Sequence, residues 1–230
     1  MPYEHIFFDL DCTLWDFETN SRETFAELIT KYNFKELGID SPQDFIEEYL
    51  IINEHMWDEY RKGLLDKHTL RYKRFQEAFA KFGLNDTDFA NSFANDYLQI
   101  APAKSKLFPH THEVLEYLQK KYVLHIITNG FEEVQHIKMK SSDIEKYFKN
   151  VITSEMAGHK KPDIRIFEFS LRTANATVHN SIMIGDNMQA DIIGARNANI
   201  HQVFFNPKEL KHNENVTYEI KSLNELFNLL

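Results

Sequence analysis

One cysteine in 230 residues excludes an intrachain disulfide and points to a reducing compartment. Glycine is almost as scarce. Its 7 residues are well under half of the usual share of about 7%, which excludes collagenous and linker-rich chains. No apolar run approaches the roughly 18 residues of a membrane span, so no membrane partner is expected. Positive charge is also short: 26 Lys and Arg stand against 35 Asp and Glu, for a net charge of −9. The few basic clusters (Arg71–Arg74, Lys120–Lys121, Lys160–Lys161) are interrupted by apolar residues or only two long. A duplex-binding surface needs a basic stripe, so no nucleic-acid duplex is expected as partner. The opening Met-Pro-Tyr-Glu-His does not read as a signal peptide. These absences together lead to the expectation of a soluble cytoplasmic protein. What the chain has in plenty is aromatic: 19 Phe and 10 Tyr.

The pattern changes twice along the chain. Ile6–Leu10 is a short apolar run ending in acid, which reads as a buried strand. From 17 to 100 the spacing becomes helical, with Phe45, Tyr49, Ile52, Met56 and Tyr60 on one face and Tyr72, Phe75, Phe79 and Phe82 on another. Gly38, Gly63 and Gly83 fall where helices stop, so four or five helices packed as a bundle are expected. After Ala101-Pro102 helices alternate with apolar runs. The expected strands are Val123–Ile127, Val151-Ile152, Ile182–Ile184, Gln202–Phe205 and about 216–220. That alternation predicts an α/β fold: a Rossmann-like parallel sheet core (1–16 and 101–230) with an inserted all-helical domain (17–100).

Ligands of such sheets bind beyond the carboxyl ends of the strands. The residues there are Asp9, Asp11 and Thr13; Thr128, Asn129 and Gly130; Ser154–Lys161; and Gly185, Asp186 and Asp191. Asp9 and Asp11, two apart on an extended chain, can face one cavity. Four carboxylates at one edge repel each other unless a cation neutralises them, and an all-oxygen set favours Mg²⁺. Lys161, Thr128, Asn129 and backbone N–H groups near Gly130 offer donors to an anion. Metal, carboxylate and anion cradle together point to phosphoryl transfer. Each motif alone is an ordinary turn or helix start. Their succession at four strand ends is what carries weight.

Phe8-Asp9-Leu10-Asp11-Cys12-Thr13-Leu14, Ile127-Thr128-Asn129-Gly130, Lys161-Pro162-Asp163 and Ile184-Gly185-Asp186-Asn187 with Asp191 resemble the four motifs of the haloacid dehalogenase superfamily. The 17–100 insertion resembles its helical cap. The resemblance implies a nucleophile at Asp9, which would form an aspartyl-phosphate, and a proton carrier at Asp11. It implies Mg²⁺ held by Asp9, the Asp11 carbonyl and Asp186, with Asp191 in support. It implies phosphoryl contacts from Thr128 and Asn129, and charge neutralisation by Lys161. The dehalogenases of the superfamily lack the second acid of the first motif. Asp11 therefore favours phosphate-ester hydrolysis.

Two positions depart from the pattern. Cys12 and His110 stand where such proteins often have Gly. Cys12 is expected to be a small packing residue, and the loop shape at His110 is left open. Asn53, Trp57 and Arg74, with Phe75, Asn206 and Ser222-Leu223, resemble a bacterial subgroup of 5′-nucleotidases that take pyrimidine and non-standard nucleoside monophosphates. Trp57 is expected mainly to pack and Arg74 to lie on a solvated face, with Asn53, Trp57 and Arg74 kept as specificity candidates. The expected partner is a small phosphorylated metabolite, a nucleotide in the first place. A sugar-phosphate phosphatase, a phosphomutase and a non-catalytic binding module stand as alternatives. The oligomeric state is left open.

Overall fold

The structure, a computed structural model, describes residues 3–230. It divides into two compact units: the segment up to Phe17 with Ser105–Leu230, and Glu18–Lys104. No helix among the described residues is long and apolar enough to cross a membrane.

The second unit carries four α-helices among the described residues: α1 (Phe17–Lys31, entering from the first unit), α2 (Pro42–Arg61), α3 (Lys67–Lys81) and α4 (Thr87–Ile100). Local chemistry sets the helix starts. The side chains of Ser41, Asp66 and Asp86 accept from backbone N–H groups of the first turns of α2, α3 and α4. Gly63 and Gly83, at φ +76° and +82°, end α2 and α3 in the left-handed region that glycine adopts without strain. The aromatic surplus goes into this unit's centre. Phe25, Phe45, Phe79 and Phe93 are fully buried, and Phe45 meets Phe79 with ring centroids 4.7 Å apart.

The first unit is a six-stranded sheet in the order β3-β2-β1-β4-β5-β6, every pairing parallel. The strands are β1 (His5–Phe8), β2 (Val123–Thr128), β3 (Phe148–Thr153), β4 (Ser181–Gly185), β5 (His201–Phe205) and β6 (Tyr218–Ile220). The helices between and after them are α5 (Thr111–Leu118), α6 (Glu132–Ser141), α7 (Ser154–Ala157), α8 (Ile164–Ala174), α9 (Gly194–Asn197) and α10 (Leu226–Leu229). Side chains alternate between two buried faces. Ile6, Phe8, Ile126, Ile182 and Ile184 pack on one; Phe7, Ile127, Ile152 and Met183 pack on the other with Ile166 and Phe167 of α8. Hence the strands read as near-continuous apolar runs. On the second face His5 and His125 are stacked and hydrogen-bonded, Nδ1 to Nε2 at 3.1 Å, and Asn150 meets the other His125 nitrogen at 2.9 Å.

The end of the first strand departs from expectation. β1 ends at Phe8, because the chain turns back on itself. Leu14 and Trp15 both donate backbone N–H to Leu10 O, and Cys12 N–H donates to Trp15 O. α8 starts at Ile164, where Asp163 caps it, and Pro162 precedes the cap. The helical segment after β4 begins as a π-helical stretch, Met188–Ile193, before α9.

Cys12 and His110 have one explanation. Their φ values are +63° and +68°, the region in which a side chain is strained and glycine is not. Cys12 is half-buried and occupies a turn position defined by its backbone.

Candidate active site

β1 lies between β2 and β4, where the order of connection reverses, and the sheet's crevice opens there. Asp9 follows β1 directly and donates its N–H to Ile184 O of β4. Thr128 ends β2, Gly185 ends β4, and Asp186 comes next. The π-helical stretch carries Asp191 back beneath Gly185. There Asp191 accepts from the backbone N–H of Asn187 at 3.0 Å.

Carboxylate oxygens of Asp9, Asp186 and Asp191 all lie within 4.8 Å of one another. Lys161, only 2% exposed, reaches into the group. Its ammonium donates to Asp9 Oδ1 at 2.6 Å, Asp191 Oδ1 at 2.6 Å and Ile127 O at 2.8 Å. Burial drives the Asp9 carboxyl up to about 7, with Lys161 opposing and the Asp191 and Asp11 charges adding to the rise. Asp186 is also pushed well above the usual carboxylate range, by burial first and then by Asp191 and Asp9. Burial works against the charge on Lys161, but Asp191 and Asp9 outweigh it and hold its ammonium above the ordinary value. Two of the three acids touch the one buried cation, and burial drives the group toward taking up protons or a further cation.

The side chain of Asn129 is engaged within the site itself. Its Nδ2 donates to Lys161 O at 2.9 Å and its Oδ1 accepts from Lys161 N–H at 2.8 Å. Both ends of its carboxamide hold the lysine's main chain, so Asn129 fixes Lys161. Thr128 Oγ1 accepts from Gly130 N–H at 3.0 Å and from Gln135 Nε2 at 2.8 Å, leaving its hydroxyl hydrogen to donate. The Asp11 carboxylate is held through both oxygens, Oδ1 by Lys138 Nζ at 2.6 Å and Oδ2 by Gln135 Nε2 at 2.8 Å. Thr13 donates to Asp186 Oδ1 at 3.0 Å.

Gln135 and Lys138 escaped the sequence reading, and Thr13 stood among the strand-end residues without a role. Their only signal is positional. On α6, Gln135, Lys138 and Met139 are buried together, so two polar residues share the helix's inward stripe. The glycines of two motifs have a steric reason within the site. A Cβ on Gly130 would fall 1.6 Å from Gln135 Nε2, and one on Gly185 2.4 Å from Asp191 Cγ. Their missing side chains make room for the residues that set the site.

A profile of haloacid dehalogenase-like hydrolases matches residues 3–199. The chain belongs to that family. This hydrolase is 29% identical to the pyrimidine 5′-nucleotidase PynA of Streptococcus pneumoniae over 235 residues, covering 100% of this chain and 96% of the relative. It is 30% identical to a glyceraldehyde 3-phosphate phosphatase of Methanothermobacter thermautotrophicus over 207 residues, 87% of this chain and 84% of that one. The solved structure of YfnB from Bacillus subtilis bound to magnesium has the same fold, with a TM-score of 0.90 at 24% identity over 100% of this chain and 99% of that one.

The three candidates on the helical unit sort unequally. Arg74 is 4% exposed, which overturns its expected place on a solvated face. It donates from Nη1 to Asn53 Oδ1 at 2.7 Å, and its guanidinium lies 5.0, 5.7 and 5.9 Å from the ring centres of Phe75, Tyr97 and Tyr49. Its Nε is buried with no partner. Asn53 is buried beside it, whereas Trp57 is half-buried and meets Tyr60 edge-on at 5.5 Å.

Proposed function

We propose that this hydrolase is a Mg²⁺-dependent phosphomonoesterase that acts on nucleoside 5′-monophosphates through an aspartyl-phosphate at Asp9. The observation that carries the reading is the buried Asp9–Lys161–Asp191 group with Asp186 beside it. Its donor set fits Mg²⁺: three hard carboxylate oxygens close together, with more negative charge than one lysine offsets. Asp9, Asp186 and the Asp11 carbonyl would hold the ion, with Asp191 supporting from behind. When bound, it would neutralise charge on the carboxylates and on a phosphoryl group.

The chain's own residues divide the rest of the work. Asp9 attacks phosphorus, and its bond forms as the bond to the leaving oxygen breaks. Asp11 delivers a proton to that oxygen, then takes one from the water that attacks the aspartyl-phosphate. Thr128 donates its hydroxyl hydrogen to a phosphoryl oxygen. Lys161 keeps a fixed positive charge against Asp9 throughout. Asn129 holds Lys161 in place.

The nucleotide preference draws on the likeness to PynA and on Arg74 with its unpartnered Nε, a group able to meet a carbonyl or anion. The likeness to a glyceraldehyde 3-phosphate phosphatase favours a second reading, small sugar phosphates as substrate. A phosphate-release assay over nucleoside monophosphates and sugar phosphates, with Mg²⁺ or with EDTA, separates the two. The expected result is Mg²⁺-dependent release that is greatest from pyrimidine nucleotides and abolished in a folded Asp9→Asn variant. Substantial turnover in that variant would overturn the mechanism.

A further inference from the structure

We infer that Lys138 and Gln135 are positioning residues that hold the Asp11 carboxylate for proton transfer, and that Gln135 ties its placement to the phosphoryl-binding Thr128. The inference rests on Asp11 being the proton carrier, as proposed above. It is drawn from contacts that the family motifs do not contain.

Asp11 lies in the turned-back segment after β1 and is one-quarter exposed, and the side-chain donors on its two carboxylate oxygens both come from α6. α6 supplies the constraint. Lys138 and Gln135 are three residues apart and therefore lie on one face of that helix. They grip opposite oxygens of the carboxylate. Two donors on two oxygens fix both the position and the plane of a carboxylate, which a single contact does not.

Each donor is itself held. Lys138 is 8% exposed and its ammonium lies 4.4 Å from the centre of the Trp15 ring, a cation–π contact within the segment that carries Asp11. Gln135 is fully buried, and the same Nε2 that donates to Asp11 donates to Thr128. Its place exists only because residue 130 lacks a Cβ. Gln135 Oε1 is buried with no partner, so the amide is oriented by its two donated bonds alone. An anion that takes the Thr128 hydroxyl hydrogen is therefore linked to Asp11 through Gln135 alone.

Leaving-group dependence gives the test. An aryl ester such as p-nitrophenyl phosphate expels a stable phenolate and needs little protonation, whereas an alkyl ester such as a nucleoside 5′-monophosphate depends on it. The quantity to follow is kcat/KM, which runs through aspartyl-phosphate formation. Lys138→Met and Gln135→Leu are each expected to move the alkyl-to-aryl ratio of kcat/KM about tenfold toward the aryl ester, as misplacing a proton donor should. Lys138→Arg is expected to restore most of the ratio, since a guanidinium can donate to Asp11 from the same position. Gln135→Glu, close in shape but carrying an acceptor against Asp11, is expected to move it as Leu does. Aryl-ester turnover in each variant certifies that the fold and Asp9 survive.

Equal losses on both esters, or none, would overturn the inference. Asp11→Asn is run beside them. If it shifts the ratio and the α6 variants do not, the positioning role fails alone. If Asp11→Asn leaves the ratio unmoved, the assignment of Asp11 as proton carrier fails first.

Discussion

Replacing Lys161 by Met tests the electrostatics of the site apart from catalysis. The ammonium is 2% exposed and in contact with two buried carboxylates, each at 2.6 Å. Taking one partner out of a buried ion pair leaves the other charge uncompensated, at a cost of about 3–5 kcal/mol. For a chain of this size that corresponds to a melting transition lowered by roughly 6–20 °C. The measurement is thermal unfolding of Lys161→Met and wild type in EDTA at neutral pH, followed by tryptophan fluorescence. Added Mg²⁺ should return part of the loss, because a cation again sits among the acids. The pH dependence has a definite sign. The Asp9 carboxyl already stands at about 7 in the folded protein, above its ordinary value. Its unfavourable contribution therefore grows as pH rises from about 4 to about 7, so the stability of the wild type in EDTA should fall across that range. A variant within about 1 kcal/mol of wild type in EDTA at neutral pH would refute the idea that Lys161 neutralises the buried acids.

Two further outcomes follow from groups outside that cluster. Burial, with the His5 charge adding, lowers His125 to about 4. It is thus neutral in the folded protein where the unfolded chain would protonate it. Stability is full above the unfolded value near 6.5 and falls as pH drops toward 4, by up to about 3 kcal/mol, so His125→Phe should flatten that part of a urea-denaturation pH profile. A profile as steep in the variant would exclude the histidine pair as the cause. Arg74 is buried without a carboxylate in ion-pair reach among the described residues and with an unpartnered Nε. Arg74→Met should raise the urea midpoint, by a stabilisation of about 1–3 kcal/mol, while weakening turnover of nucleotides. A large loss of stability would show that the aromatic rings around the guanidinium outweigh its desolvation.

The framework of this fold is written in patterns that depend on neighbours in the chain. Alternating apolar runs announce the parallel strands, and Asp9, Thr128, Lys161 and Asp186 are identifiable because each immediately follows or ends a strand, or stands before a helix. What was hidden depends on contacts between distant segments. Gln135 and Lys138 meet Asp11 across more than 120 positions of sequence. Arg74 was misjudged for a different reason. The aromatic spacing puts Tyr72, Phe75 and Phe79 inward, whereas the buried stripe is Leu70, Arg74, Phe75, Ala78 and Phe79. An Arg spaced four residues from Leu70 and Ala78 faces inward whatever its charge. Asn129 shows the same limit: its two bonds to the main chain of Lys161 bridge segments 32 residues apart, which no local pattern announces.

That brace has an evolutionary consequence. Lys161 is anchored to the end of β2 at three points: Asn129 Oδ1, Asn129 Nδ2 and the carbonyl of Ile127. Its ammonium inherits its coordinates from the sheet and owes little to the segment that delivers it. Exposed positions between β3 and Lys161, such as Met156, are accordingly expected to tolerate substitution while the charge stays in register with Asp9.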